Sequence, residues 1–235
     1  MRNVGVVVEL RRYPVKSMAS ESLTAATISW HGLAGDRRWA FVRPGMERSG
    51  FPWLTIREKP DLWQYQPRFL EAADVEGSKT VVRTPDGAEF DVADAELARH
   101  LGEGVRVIKQ HGGIFDTFPI SILTVQSVRG LSDLIGQQLE ALRFRPNLVI
   151  DAPGAEPFPE DQWVGRTIRI GQFRCRIDVR DQRCVMVNAA PGGGEPNPAV
   201  LRAIASERNA RFGVYGTTVE PGEAAVGTPV FLEDK

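Results

Sequence analysis

Basic and nucleophilic side chains recur in the sequence where a loop gives way to an apolar run. Four short segments carry them: YPVKS with Lys16 and Ser17, GDRRW with Arg37 and Arg38, RFRPN with Arg143, Arg145 and Asn147, and RDQRC with Arg180, Arg183 and Cys184. An arginine suits phosphate because its planar guanidinium makes two charge-assisted hydrogen bonds. Any one of these arginines alone is best interpreted as an ordinary solvated side chain. Together they predict a local anion-binding site.

The cysteine in this set has a second kind of chemistry. Cations close to Cys184 favour its thiolate, which is the form that binds a soft metal. The alternative is that Cys184 only packs. Its counterpart Cys175 lies within FRCRI and is predicted to be a buried strand cysteine. The two are predicted to lie at opposite ends of a single hairpin and to be reduced thiols of a cytoplasmic protein.

Counting residues excludes several classes of site. Two cysteines are too few for an ordinary iron–sulfur cluster, and the three histidines show no ligand spacing with them. The common hydrolase and nucleotide-binding motifs are absent from the sequence. The segment PGGGE, with Gly192 to Gly194, is either a mobile loop or a phosphate cradle ahead of a helix. A net charge of −1 and a pI near 6.3 argue against a nucleic-acid partner.

The strands that must position these residues are short and separated by Gly and Pro. TVVRTPDGAEFDV predicts a hairpin, and CVMVNAAP predicts one of several strands in the second half. Helices are predicted over 94–102, over 125–136 with Thr124 as cap, and over 197–208 with Asn197 as cap. In the second helix, Val128, Leu131, Leu134 and Ile135 are expected to share one face. The predicted fold is mainly β with peripheral helices (α+β), as two joined β-barrel-like units over 1–110 and 111–235.

The amino terminus reads MRNVGVVVELRRYPVKS, where Glu9 interrupts the apolar run and two arginines follow it. This pattern fits neither a signal peptide nor a membrane span. We therefore expect a soluble, cytoplasmic protein with no membrane span.

Six motifs carry a resemblance to a known family. In order, YPVKS, GLAGDRRW, LTIREKPDL, FRPNLVI, PEDQW and RCVMVN resemble the MOSC domain proteins, named for the molybdenum cofactor sulfurase C-terminal domain, preceded by their N-terminal β-barrel domain. The resemblance covers nearly the whole chain. Each motif is weak alone, but six in the family's order are specific.

The resemblance implies a role for each matched residue. Cys184 would coordinate molybdenum, and the residues implied to bind the pterin cofactor are Lys16, Ser17, Arg37, Thr117, Arg145, Asn147 and Arg183. Glu160 and Asp161 match an acidic pair near the active site. Asp161 is either a catalytic residue or a structural hydrogen-bond partner of a loop. Met18, where several relatives have cysteine, and Phe118, where some have a small polar residue, depart from the family pattern at the cofactor pocket.

The implied activity is that of the amidoxime-reducing group, which reduces N-hydroxylated small molecules at the molybdenum cofactor (molybdopterin with Mo). The sequence has no ferredoxin-like extension, so a separate reductase or ferredoxin-type protein would supply the electrons. Pyridoxal phosphate binding is not expected. An alternative from another class is a module that carries the cofactor or transfers sulfur on Cys184 without small-molecule turnover. A plain interaction barrel would leave the ordered motifs unexplained.

Overall fold

The computed structural model describes residues 1–71 and 74–234, which form two compact units. Unit 1 comprises Met1–Arg11, Ser22–Ala34 and Thr117–Lys235, and unit 2 comprises Arg12–Glu21 and Gly35–Asp116. The units therefore interleave along the chain. The predicted boundary between residues 110 and 111 refers to the two family domains rather than to these compact units, and it stays a prediction.

The elements follow one another in a chain dominated by short strands. The strands are β1 (Arg2–Arg12), β2 (Glu21–Leu23), β3 (Ala25–Ser29), β4 (Gly32–Leu33), β5 (Trp39–Val42), β6 (Gln66–Phe69), β7 (Thr80–Arg83), β8 (Glu89–Asp91), β9 (Arg106–Lys109), β10 (Ile120–Thr124), β11 (Leu148–Asp151), β12 (Thr167–Ile170), β13 (Phe173–Gln182), β14 (Arg211–Glu220), β15 (Gly222–Ala225) and β16 (Pro229–Leu232). The α-helices are α1 (Ala95–Leu101), α2 (Val125–Ile135) and α3 (Pro198–Arg208), and 3-10 helices span Pro60–Gln64, Ala141–Phe144, Pro159–Trp163 and Val185–Asn188. The predicted class, mainly β with peripheral helices, is confirmed.

Unit 1 is built around a closed barrel. Its strands follow the order β11-β10-β14-β13-β12-β16-β1, and β1 also pairs with β11, which closes the ring. Only β10 and β11 run parallel among these pairs. Alternate residues point inward and fill the barrel with apolar side chains; among them are Val7, Ile122, Ile150, Ile168, Cys175, Ile177, Val214 and Val230. Register shifts in β1 and β13 let these long strands bend around the core.

Two helices of unit 1 pack beside the barrel over a second apolar cluster. Thr124 caps α2 by accepting a hydrogen bond from the Ser127 amide, and Asn197 caps α3 by accepting one from Ala199. Both caps agree with the sequence prediction. The cluster beneath the helices contains Leu123, Val128, Leu131, Phe144, Val187, Val200, Ile204 and Phe212.

One residue of α2 departs from the prediction. Val128 and Leu131 are buried and Ile135 packs against their cluster, but the Leu134 side chain is 51% exposed. At 100° per residue Leu134 lies a third of a turn from Val128 and outside the arc that the other three occupy. The predicted shared face was therefore wrong at this position.

Unit 2 contains a two-stranded sheet of β5 and β9 and a three-stranded sheet of β6, β7 and β8. The predicted hairpin is confirmed as β7–β8, whose turn closes through the Thr84 amide on the Ala88 carbonyl and a positive φ at Gly87. Asp94 caps the predicted helix α1 and Gly102 ends it.

The segment CVMVNAAP is not a strand, because Val185–Asn188 forms a 3-10 helix. The β-prone residues are overridden by packing: Val187 is buried in the α2–α3 cluster of unit 1. The predicted cysteine hairpin is also wrong. The hairpin is β12–β13, with Cys175 near the start of β13, and Cys184 follows the end of that strand.

Among the described helices, we find none with the length and apolar character that a membrane span requires.

Candidate functional site

The residues predicted to form the site divide between the two units. Lys16, Ser17 and Arg37 belong to unit 2, and the remaining members belong to unit 1: Thr117, Arg145, Asn147, Asp161, Arg183 and Cys184. Their geometry is described within each unit, and their roles toward a cofactor stay predictions.

Lys16 of unit 2 lies in the turn after β1 and is nearly buried. Its ammonium group donates to the Ile114 carbonyl at 3.1 Å and to Asp116 Oδ1 at 2.5 Å. The lysine side chain is only 7% exposed, whereas that of Asp116 is 43% exposed. Sequence reasoning missed Asp116, although it directly precedes the predicted Thr117. The Lys16 ammonium is thus held by a backbone carbonyl and a half-exposed carboxylate, and its role toward a cofactor stays a prediction.

Arg37 is fixed by its neighbours in unit 2. Its guanidinium forms an ion pair with Asp36 and stacks over the Tyr13 ring, 4.5 Å from the ring centroid. Asp36 is fully buried as a side chain, and its Oδ1 accepts a hydrogen bond from the Tyr13 amide at 2.7 Å. Asp36 therefore links the turn after β1 to the arginine segment, a role that the sequence motif did not reveal.

Backbone strain coincides with several predicted site residues. Ser17, Arg37 and Arg145 have φ values of 68°, 47° and 54°. Non-glycine residues rarely adopt positive φ, and such strain costs on the order of 1–3 kcal/mol per residue unless the surroundings enforce it. Three other non-glycine residues, Phe158, Asn209 and Ala210, share this conformation outside the predicted set, so positive φ alone does not assign a function to the candidate residues.

Asn147 is a buried connector within the barrel of unit 1. Its Oδ1 accepts from the Ser121 amide at 3.1 Å, and its Nδ2 donates to the Arg11 carbonyl at 3.2 Å. The side chain therefore joins β10 and β1 just where β11 begins. These contacts give Asn147 a structural role, and its predicted cofactor role stays a prediction.

Arg183 is also held inside unit 1. Its Nε donates to the Phe212 carbonyl at 2.7 Å and its Nη1 to the Phe144 carbonyl at 2.8 Å. Its Nη2 lies 2.9 Å from Asp181 Oδ2, in an ion pair whose side chains are 7% and 2% exposed. These contacts anchor the chain directly before Cys184. They make Arg183 a positioning residue for the cysteine, while direct cofactor binding stays a prediction.

Cys184 itself stands at the amino-terminal cap of the Val185–Asn188 helix and is partly exposed. Arg143 holds the far end of that helix, since its Nη1 donates to the carbonyls of Val187, Asn188 and Ala189 at 3.1, 3.1 and 2.8 Å. The Asn188 side chain then accepts from the Leu201 amide at 3.0 Å, which ties the turn to α3. The thiol therefore sits on a segment with little freedom to move.

The second cysteine has the opposite environment. Cys175 is fully buried in the barrel core of unit 1, and burial raises the pKa of its thiol far above the ordinary value. A thiol that stays protonated is a poor metal ligand and a poor nucleophile. The prediction of a buried strand cysteine is confirmed for Cys175.

The acidic pair separates into two distinct roles within unit 1. Glu160 is fully buried and accepts hydrogen bonds from Thr124 Oγ1 at 2.7 Å and from Ser127 Oγ at 2.6 Å. Burial raises the pKa of the Glu160 carboxyl, although these hydrogen bonds oppose the shift. Asp161 instead accepts through Oδ2 from Arg208 at 2.5 Å and from Arg180 at 3.3 Å. These contacts tie Asp161 to α3 and β13 rather than to a loop, and its predicted catalytic role stays a prediction.

A cleft of about 560 Å³ opens in unit 1 beside this ion pair. Its lining includes Thr117 and Asp161 from the predicted set, together with Arg180, Gln182 and Arg211 from β13 and β14. Gln182 and Arg211 are cross-strand partners. The cleft therefore joins Thr117 and Asp161 to Arg180 and Gln182 of the RDQRC segment and to Arg211, which no motif identified. Gln182 lies two residues before Cys184 in the chain.

Comparison with known proteins gives matches along most of the chain. The model of the MOSC domain matches residues 99–231, and that of the MOSC N-terminal beta barrel domain matches residues 4–117. The boundary predicted between residues 110 and 111 falls where the two ranges overlap.

Curated relatives match at low identity. The molybdenum cofactor sulfurase of Drosophila mojavensis is 26% identical over 89% of this chain and 31% of its own length. The mitochondrial amidoxime-reducing component 1 of Homo sapiens is 29% identical over 50% of this chain and 37% of its own length. The alignments thus cover about a third of each of these relatives.

The crystal structure of the YuaD protein from Bacillus subtilis superposes with a TM-score of 0.54 at 11% identity, over 100% of this chain and 98% of that one, which shows a shared fold. Since the MOSC domain model alone matches more than half of the sequence, the chain belongs to the MOSC domain family.

Proposed function

We propose that this chain binds the molybdenum cofactor through Cys184 and reduces N-hydroxylated small molecules with electrons from a separate reductase or ferredoxin-type protein. One observation carries the proposal: a partly exposed thiol stands on a 3-10 helix whose two ends are held by Arg183 and Arg143. A metal ligand must hold its donor atom in place, and supporting hydrogen bonds of this kind provide that.

The donors present fit the group. A thiolate is a soft ligand suited to a transition metal. Arg37 in unit 2 and Arg145 in unit 1 are cations with positive φ, and Lys16 directly precedes Ser17, which shares this conformation. These residues would hold the phosphate and pterin, and Cys184 would hold the metal. The bound cofactor would supply two-electron oxygen-transfer chemistry, which no protein side chain provides.

The chain's own residues would bind the cofactor and position the groups around it. Arg183 and Arg143 fix the cysteine segment, and Asp161 with its two arginines fixes one wall of the adjoining cleft. Glu160 is fully buried and accepts hydrogen bonds from Thr124 and Ser127 at the amino-terminal end of α2, so it would contribute to the shape of the site.

The relatives favour two different activities. The amidoxime-reducing component of Homo sapiens supports the reductase, but its alignment covers half of this chain. The molybdenum cofactor sulfurase alignments cover 89–92% of the chain, which favours a second candidate. This candidate is a module that carries the cofactor or transfers sulfur without small-molecule turnover.

One experiment separates the two candidates. Protein purified with its cofactor intact is analysed for molybdenum and pterin, and is then assayed with benzamidoxime and a chemical reductant. The reductase predicts metal together with turnover. Metal without turnover favours the carrier, and a protein with neither metal nor pterin refutes both.

A further inference from the structure

The cleft of unit 1 contains polar groups that the proposed reaction has not used. We propose that it is the substrate site and that it selects N-hydroxylated compounds bearing an anionic group such as a carboxylate, an inference that rests on the proposed function for the reaction itself. It follows from the charge balance of the cleft walls, from their apolar side chains and from the position of Gln182.

The charge balance favours an anion. Around the cleft, Arg180 and Arg208 share the single carboxylate of Asp161. Asp178, which also lines the cleft, pairs with Arg176 at 2.6 Å. In the part of the chain that the structure describes, no hydrogen bond or ion pair engages the exposed side chain of Arg211. Each carboxylate of the lining, Asp161 and Asp178, is paired with an arginine from outside the lining, Arg208 or Arg176, which leaves Arg180 and Arg211 incompletely neutralised.

Two of these arginines are available to a ligand. Among the residues that the structure describes, the Arg180 guanidinium contacts Asp161 through Nη1 alone, at 3.3 Å, so its other N–H groups remain for a second acceptor. Arg211 lies across from Gln182, whose amide can also donate. A planar carboxylate matches a guanidinium fork, and two such forks at one cleft distinguish an anion from a neutral group.

The rest of the lining is apolar and suits the body of a small organic molecule. Val164 and Val179 are 37% and 39% exposed, and both line the cleft. Exposed valines beside arginines would cover an aromatic or aliphatic group once the anion is held.

The cleft lining also comes close in sequence to the proposed metal ligand. Gln182 lines it and ends β13, and Cys184 follows two residues later. Two residues of extended chain span about 7 Å, which is comparable to the length of a substituted benzene ring. A ligand anchored by its anionic end would need a comparable length to approach Cys184 with its other end.

The test compares two ligands that differ by one group. Benzamidoxime and its 4-carboxylate are titrated into the purified chain by calorimetry at low and high ionic strength. We expect the carboxylate to bind about fivefold more tightly at low salt, an advantage typical of exposed ion pairs, and to lose this advantage at high salt. Arg211→Gln should reduce the preference about threefold, and it removes no contact on which folding depends.

The matched control is Arg202→Gln, which removes an exposed charge from α3 outside the cleft. It should leave both affinities unchanged. Equal affinity for the two compounds, no binding of either, or equal losses in the two variants would overturn the anion site. A retained preference for the carboxylate in a protein that reduces neither compound would support the anion site and overturn the reductase, so the two failures are distinguishable.

Discussion

Replacing Arg143 with methionine should destabilise unit 1 and release the segment that carries Cys184. Methionine keeps much of the apolar stem but removes the group that donates to the carbonyls of Val187, Asn188 and Ala189. Arg143→Lys is the intermediate variant, because its ammonium keeps the charge and donors but ends on a shorter stem.

The magnitude follows from the contacts of this guanidinium. Three carbonyls share Nη1, which has two hydrogens, so the loss amounts to two charge-assisted hydrogen bonds, or about 3–6 kcal/mol. The buried Nε has no hydrogen-bond partner among the described residues, and burial lowers the pKa of this arginine. Removing that unpaired donor recovers roughly 1–3 kcal/mol. The midpoints of these two ranges give a net loss of about 2.5 kcal/mol for Arg143→Met, and we expect about half of that for Arg143→Lys.

Urea denaturation measures the free energy of unfolding, and the alkylation rate of Cys184 under native conditions reports on its segment. We expect faster alkylation in Arg143→Met than in the parent protein, with Arg143→Lys between them. Cys175 is the internal reference, because its buried thiol should stay unreacted in all three proteins. An Arg143→Met protein within about 0.5 kcal/mol of the parent, with an unchanged alkylation rate, would refute the positioning role.

Three further predictions follow from the same geometry. Cys184→Ser should lose bound molybdenum, whereas Cys175→Ser should keep it and lose about 1–3 kcal/mol of stability in urea denaturation; a metal-replete Cys184→Ser protein would contradict the ligand assignment. Burial raises the pKa of Glu160 above its ordinary 4.5, so the folded state keeps this proton to a higher pH than the unfolded state does. The free energy of unfolding should therefore fall as pH rises from about 4.5 to the folded-state pKa, by at most about 1.4 kcal/mol per pH unit. Glu160→Gln should remove this pH dependence of stability. If urea denaturation gave parallel pH profiles for the two proteins, the contribution of Glu160 would be excluded. Arg145→Ala or Lys16→Ala should weaken pterin retention by about 1.5–3 kcal/mol, measured by pterin fluorescence, and equal occupancy in variant and parent would count against the phosphate contacts.

Features that depend on a few adjacent residues were predictable from the sequence. The predicted caps at Thr124 and Asn197 are confirmed, because each side chain accepts a hydrogen bond from an amide two or three residues ahead. The β7–β8 hairpin and the burial of Cys175 are confirmed for the same kind of reason, since turn chemistry and strand alternation are local. The family could be recognised for a similar reason, because each of its six motifs is a contiguous run of residues.

Features that depend on distant residues were not predictable. The segment after Cys184 has strand-like residues, but it forms a 3-10 helix whose last carbonyls bind Arg143, more than 40 residues away in sequence. The exposure of Leu134 likewise depends on which arc of α2 meets the cluster beneath it. Local propensity cannot anticipate such contacts, because their free energy exists only once the chain has folded.

The candidate site likewise has features that the sequence determined and features that only folding determined. The sequence by itself determined which residues are candidates, because motif order and residue chemistry identify Cys184, Lys16, Arg37 and Arg145 without coordinates. Only the tertiary structure decided which groups hold these residues. Lys16 pairs with Asp116 and Arg37 with Asp36. Arg183, which directly precedes Cys184, donates hydrogen bonds to the carbonyls of Phe144 and Phe212. The tertiary structure also decided that Asp161 lies between two arginines at a cleft wall. The physical reason is that a side chain's chemistry belongs to the residue, whereas its charge partners, burial and pKa belong to the neighbours that folding brings to it.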